Sequence, residues 1–132
     1  MRRTFQAELS GQYDPVAVYY EDADMVEYMR EDVPSVSRRI DEFLTLELKM
    51  ESREPIGFKL KGFKNFYLRY LKDDVPVDVD RDHFLALVKV IEKAIHVLGD
   101  EAFENDRKAA YDQAYRIAEE DGAELHELPS AA

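Results

Sequence analysis

Apolar and polar residues alternate with period two through the first half of the chain and recur with a helical period through the second. Phe5, Ala7 and Leu9 alternate with Thr4, Gln6 and Glu8, which predicts a first strand. Ser10-Gly11-Gln12-Tyr13-Asp14-Pro15 then breaks the chain. Val16, Val18 and Tyr20 share a face, and the alternation resumes over residues 25–29. The clearest strand covers residues 43–50. Leu44, Leu46, Leu48 and Met50 point one way, and Thr45, Glu47 and Lys49 the other. After Glu51-Ser52-Arg53-Glu54-Pro55, the residues Ile56, Phe58 and Leu60 alternate with Lys59 and Lys61. Two amphipathic strands around a turn predict an antiparallel hairpin. Glu47, Lys49, Lys59 and Lys61 would lie on its wet face as cross-strand neighbours.

At Gly62 the period changes. Phe63, Phe66, Tyr67, Tyr70 and Leu71 form one helical stripe, which Asp73-Asp74-Val75-Pro76 ends. A second helix is expected over residues 80–98. Asp80 is its N-cap, Asp82 lies in its first turn, and Gly99 stands at its C-terminal cap. Its apolar face is wide, with Phe84, Leu85, Leu87, Val88, Val90, Ile91, Ala94, Ile95, Val97 and Leu98. A last helix over residues 106–121 has a thinner apolar side of Ala110, Ala114, Ile117 and Ala118, and Gly122 stops it.

Strands first and helices after predict an α+β domain, with an antiparallel β-sheet of four or five strands followed by three α-helices packed on one face. The whole chain, 1–132, reads as a single domain: strands over 1–62, helices over 63–124 and a flexible tail over 125–132.

Composition narrows the chemistry. Cysteine is absent, which excludes disulfides, thiolate metal sites and cysteine nucleophiles, and fits a cytoplasmic location. No apolar run approaches the roughly 18 residues of a membrane span, and the first residues lack the apolar stretch of a signal peptide. The net charge of −11 is uneven. Residues 1–72 carry 12 Lys/Arg against 13 Asp/Glu, a net of −1, whereas residues 73–132 carry 6 against 16, a net of −10. The stretch 49–72 is locally basic, with seven Lys/Arg against Glu51 and Glu54. A uniformly basic nucleic-acid binder is not indicated.

The strongest candidate surface lies in that stretch. Over residues 59–70 bases alternate with aromatic rings, and Lys49, Lys59, Lys61, Lys64 and Arg69 make a candidate surface for anionic ligands, single-stranded nucleic acid or a partner. The same rings on a helical stripe also suit a hydrophobic core. The acidic tetrad Glu21-Asp22-Ala23-Asp24 reads as a solvated corner between two strands. Asp78-Val79-Asp80-Arg81-Asp82-His83 resembles a calcium loop, but His83 stands where glycine is needed and Lys89 where a bidentate glutamate is needed. His83, His96 and His126 lack metal-ligand spacing. No metal ligand, cofactor-binding or catalytic residue is assigned, and no cofactor is expected.

Tyr20-Glu21-Asp22-Ala23-Asp24-Met25-Val26-Glu27-Tyr28, with Ala-Asp between two tyrosines, resembles the opening of a family of small bacterial β-strand domains of unknown function. Asp41-Glu42-Phe43-Leu44-Thr45-Leu46 and Pro55-Ile56-Gly57-Phe58-Lys59-Leu60 continue the likeness, although Glu42 replaces the usual glycine. The resemblance covers about residues 18–63 and implies antiparallel strands, with an antitoxin-like interaction role conceivable. The leading expectation is a protein–protein interaction or regulatory module that forms a homodimer through Phe84, Val88 and Val97. A nucleic-acid-linked, antitoxin-like regulator using the basic-aromatic residues 49–72 comes second. An enzyme whose carboxylate site is not visible in the sequence comes third.

Overall fold

The strands are β1 (Val18–Tyr20), β2 (Met25–Met29), β3 (Ser35–Arg39), β4 (Leu44–Lys49) and β5 (Pro55–Lys61). The computed structural model describes residues 13–72, 85–102 and 105–126, with side chains for all of these except 99–102, 105 and 106. The five strands form one antiparallel sheet in the order β1-β2-β5-β4-β3, so the two middle hairpin strands sit inside and, among the described residues, β1 and β3 form the edges. The period-two pattern sets the register. Val26, Leu60 and Leu44 lie side by side, as do Tyr28, Phe58 and Leu46, and all six are at most 3% exposed. Each large apolar side chain buried this way contributes about 1.5–3 kcal/mol. A one-residue slip would turn the whole row to the wrong face.

Helices cover that row. Gly62, at φ +65°, turns the chain from β5 into α1 (Phe63–Phe66), which runs straight into one π-helical turn, Tyr67–Leu71. Phe63, Phe66, Tyr67 and Leu71 are buried, as their stripe requires. A two-stranded bridge follows, β6 (Leu85–Ala86) with β7 (Glu124–Leu125). Between these strands lie α2 (Leu87–Ala102) and α3 (Asn105–Asp121), packed against each other. Leu87, Val90, Ile91 and Ala94 form the buried stripe of α2. Ala110, Ala114 and Ala118, with Tyr111 and Ile117, form that of α3. The small residues let α3 approach closely. It ends in a Schellman turn: Gly122 is at φ +59°, its N–H donates to the Glu119 carbonyl, and the Ala123 N–H donates to that of Ala118.

Both ends of α3 are tied to the sheet by side chains. Near its start, Arg107 Nε and the Tyr111 hydroxyl donate to Asp41 Oδ2 at 3.0 and 2.6 Å. At its end, Asp121 accepts from the Tyr28 hydroxyl at 2.8 Å and from Arg30 through two nitrogens, at 2.6 and 3.1 Å.

Several boundaries differ from the sequence expectations. The second helix begins at Leu87, because Leu85 and Ala86 pair with Leu125 and Glu124 instead. It continues through Gly99 to Ala102, so this glycine is not a cap. Leu125, placed at the start of the tail, is fully buried in β7. Strand β3, Ser-Val-Ser-Arg-Arg, has too little apolar alternation to be read from sequence, and pairing with β4 makes it a strand. Asp80, Phe84, the run 78–83, the first expected strand and residues 127–132 lie outside the described residues.

The face of the sheet away from the helices is less wet than the alternation predicts. Thr45 and Glu47 are each only 3% exposed. Glu47 accepts from the Ser35 and Ser37 hydroxyls at 3.0 and 2.6 Å and lies 3.6 Å from Lys59 Nζ. Two hydroxyl donors and a nearby ammonium charge from neighbouring strands thus replace the water that the carboxylate loses. Gly57 lies between Met29 and Glu47 in this row, and a Cβ there would collide with the Tyr28 carbonyl and Met29.

Candidate functional site

A cleft of about 510 Å³ opens where the β3–β4 turn, the end of β5, α1 with its π-turn, α2 and α3 converge. Phe43, Phe66 and Tyr70 supply its aromatic lining, and Leu98 an aliphatic part. The rings are in register, with centroids 4.6 Å apart for Phe43–Phe66 and 5.1 Å for Phe66–Tyr70. Three cations reach the cleft from three elements: Lys61 from β5, Arg69 from the π-turn and Arg107 from α3. Arg69 stacks on Tyr70, its guanidinium carbon 5.6 Å from the ring centre.

Asp41 also lines the cleft, but its carboxylate is committed to structure. Oδ1 accepts from the Phe43 and Leu44 N–H groups at 2.8 and 2.7 Å, closing the turn, while Oδ2 holds Arg107 and Tyr111. Burial, followed by the Asp41 hydrogen bond, pushes the Tyr111 hydroxyl far above the ordinary tyrosine range. Lys61 and Arg69 are exposed, and neither forms an ion pair among the described residues. Exposed Glu42 also lines the cleft, so Lys61 and Arg69 outweigh one carboxylate and leave net cationic charge above an apolar, aromatic floor, which suits an anionic group carried on an apolar or aromatic body.

The five basic residues singled out in the sequence do not form one surface. Lys61 and Arg69 share the cleft. Lys59 lies further along the same face of β5 as Lys61, beside Glu47. Lys49 pairs with Glu31 at 2.9 Å, and this hydrogen bond and charge raise its pKa. The backbone N–H of Lys64 is held by Asp24. Phe58, Phe63, Phe66 and Tyr67 are buried, so Tyr70 is the one partly exposed ring of the basic stretch. Arg107, Asp41 and Tyr111 carry no local signal in the sequence, because the contact joins positions 66 and 70 residues apart.

The acidic tetrad is a corner with an added task. Glu21, Asp22 and Ala23 are exposed. Asp24, at φ +51°, accepts from the Tyr19 hydroxyl and the Lys64 N–H through Oδ1, both at 2.8 Å. Its own carbonyl accepts from the Gly62 N–H at 2.9 Å. Burial, then the Asp24 hydrogen bond, pushes the Tyr19 hydroxyl up to about 12. Among the described residues, no group of three His, Asp or Glu side chains is placed to hold a metal ion.

On α2, Val88, Ile95 and Leu98 pack partly against the core, and Val97 is half-buried. The large apolar side chains most exposed among the described residues are elsewhere: Val16, Val33 and Met50. No helix among the described residues is long and apolar enough to cross a membrane. A scan against protein-family models found no match to this chain, and neither did searches of the curated proteins and of the solved structures.

Proposed function

We propose that this protein is an interaction module, working in the cytoplasm, whose cleft holds a segment of a partner protein bearing a carboxylate next to an apolar or aromatic side chain. One observation carries the reading: Lys61 and Arg69, without ion-pair partners among the described residues, stand over the ring-lined floor of a cleft about 510 Å³ in volume. The resemblance over residues 18–63 to small bacterial β-strand domains is compatible with an antitoxin-like role of this kind. A nucleic-acid-linked regulator using residues 49–72 is the second reading. It is weaker, because base stacking needs open rings and most rings of that stretch are in the core.

The test is an NMR titration with two probes, a blocked Glu-Phe dipeptide and a short oligothymidylate. The dipeptide is expected to shift Asn65, Arg69 and Tyr70, and Arg69→Glu with Lys61→Glu to abolish those shifts. Preferential shifts of the same residues by the oligonucleotide would overturn the protein-partner reading in favour of the second. Homodimer formation through Phe84, Val88 and Val97 is a separate proposal, supported by the breadth of apolar positions on this segment. Sedimentation at micromolar concentration decides it: a constant mass of 15.4 kDa on dilution would rule it out.

A further inference from the structure

The ladder of the β3–β4 hairpin shows which backbone groups of β3 are in use. The Met50 N–H donates to the Pro34 carbonyl at 3.2 Å, and the Ile40 N–H donates to the Leu44 carbonyl at 2.9 Å. In an antiparallel pair such bonds recur at every second residue. Val36 and Arg38 therefore turn their N–H and C=O groups towards β4. Ser35, Ser37 and Arg39 turn theirs to the outer edge, and β3 is the last strand of the sheet among the described residues. Ser37, Arg38 and Arg39 are exposed.

We propose that this edge docks an extended acidic segment of another protein, which adds to the sheet as a further strand. Edge strands are commonly blunted by proline, by bulges or by charged side chains on the edge. Ser35–Arg39 contains no proline, and the irregularity in the sheet lies between β4 and β5. The hydroxyls of Ser35 and Ser37 turn inward to Glu47, so short side chains held off the edge leave its approach clear. What remains are two arginines on opposite faces. Arg38 has no hydrogen-bond or ion-pair partner among the described residues, and Arg39 reaches only the Asp41 carbonyl, at 3.4 Å.

The arginines select the occupant. If two copies paired antiparallel about Ser37, the two Arg38 side chains would lie diagonally on one face, a like-charge arrangement that opposes pairing. An acidic strand places a carboxylate opposite each arginine instead. The chain's −11 opposes an anion at long range, but beyond a Debye length of about 8 Å that repulsion is screened. Backbone bonds then supply affinity, and the two arginines supply the choice of partner. The edge and the cleft are separate surfaces, and this inference stands without the cleft.

Amide exchange by NMR tests it, with a blocked peptide of alternating glutamate and valine as probe. Saturating peptide is expected to slow exchange at Ser35, Ser37 and Arg39 and to leave Val36 and Arg38, already bonded to β4, unchanged. Arg38→Glu with Arg39→Glu, both at exposed positions, should weaken binding at least about tenfold, the equivalent of roughly 1.4 kcal/mol. A lysine–valine peptide should not protect the edge of the native chain. Unchanged exchange at saturation, or equal affinity in the double variant, overturns the proposal. Edge amides protected in a dimeric free protein would show that a second copy occupies the edge, and would overturn it too. Shifts confined to Asn65, Arg69 and Tyr70 would assign the peptide to the cleft, ending the edge proposal while leaving the cleft reading intact.

Discussion

Asp24 shows how one residue joins two elements. Its positive φ closes the β1–β2 turn, its carboxylate receives Tyr19 and the first turn of α1, and its carbonyl receives Gly62. Aspartate and asparagine tolerate the left-handed region better than alanine does. Asp24→Ala loses that tolerance and leaves two donors unpaired, so it is expected to cost about 1–3 kcal/mol. Asp24→Asn keeps an acceptor at the same place and should cost less than about 1 kcal/mol. Glu21→Gln and Asp22→Asn are exposed changes and should stay within about 0.5 kcal/mol. Urea unfolding of the four variants measures the ranking, and equal costs for Asp24→Ala and Glu21→Gln would reduce the corner to a simple solvated turn.

At the scale of elements, α3 is held as a strut between the β3–β4 turn and β2. Its last turn carries Glu119, Glu120 and Asp121, which the helix dipole disfavours at a C-terminus. Arg30 offsets them by pairing with both Asp121 and Glu120. Burial pushes the Asp121 carboxyl up, but the hydrogen bonds from Arg30 and Tyr28, with the Arg30 charge, outweigh it and hold its pKa below the ordinary 3.8. A depressed carboxyl pKa contributes stability that is complete above the ordinary value and is lost as pH falls through the folded-state value. The Arg30–Asp121 coupling should therefore persist at pH 5 and fade as pH falls below about 3.8. Its side chains are 27% and 20% exposed, so solvent screening limits the coupling to about 1 kcal/mol. A double-mutant cycle of Arg30→Ala and Asp121→Ala, run at both pH values, reads this. A coupling that is the same at both would remove the clamp from the account.

Across the whole molecule, two tyrosine hydroxyls join parts that are distant in sequence, Tyr28 reaching Asp121 and Tyr111 reaching Asp41, and a third, Tyr19, closes a local turn. Tyr19, Tyr28 and Tyr111 each donate to an aspartate, and burial is the first cause that raises each pKa, followed by that hydrogen bond. Tyr67 is raised by burial alone. A raised tyrosine pKa contributes stability that is complete below the ordinary value of 10 and is lost as pH rises through the folded-state value. For Tyr19 the window is pH 10 to about 12, and for Tyr28 and Tyr111 it extends higher. Ultraviolet titration should show these four of the eight tyrosines ionising late, in step with loss of far-ultraviolet circular dichroism. All eight ionising near pH 10 with the fold intact would contradict the packing described.

The alternation over residues 43–50 and 56–61 determines the central hairpin and its buried face, because only period two puts Leu44, Leu46, Phe58 and Leu60 on one side of a pleat. The stripe from Phe63 to Leu71 and the glycine after Asp121 are equally local, and each needs only its own neighbours to form a helix or end one. Tertiary structure alone decided the rest. Strand β3 owes its form to β4, and the start of α2 was set by Leu125 pairing with Leu85 across the helical pair. The cleft mixes legible and illegible parts. Lys61 and Arg69 announce themselves by charge among rings, whereas Arg107 and Tyr111 reach Asp41 only once α3 has crossed the sheet. Periodicity reports which side of an element is apolar. Which polar side chains meet depends on how the layers stack, and that information lies in no single stretch of the chain.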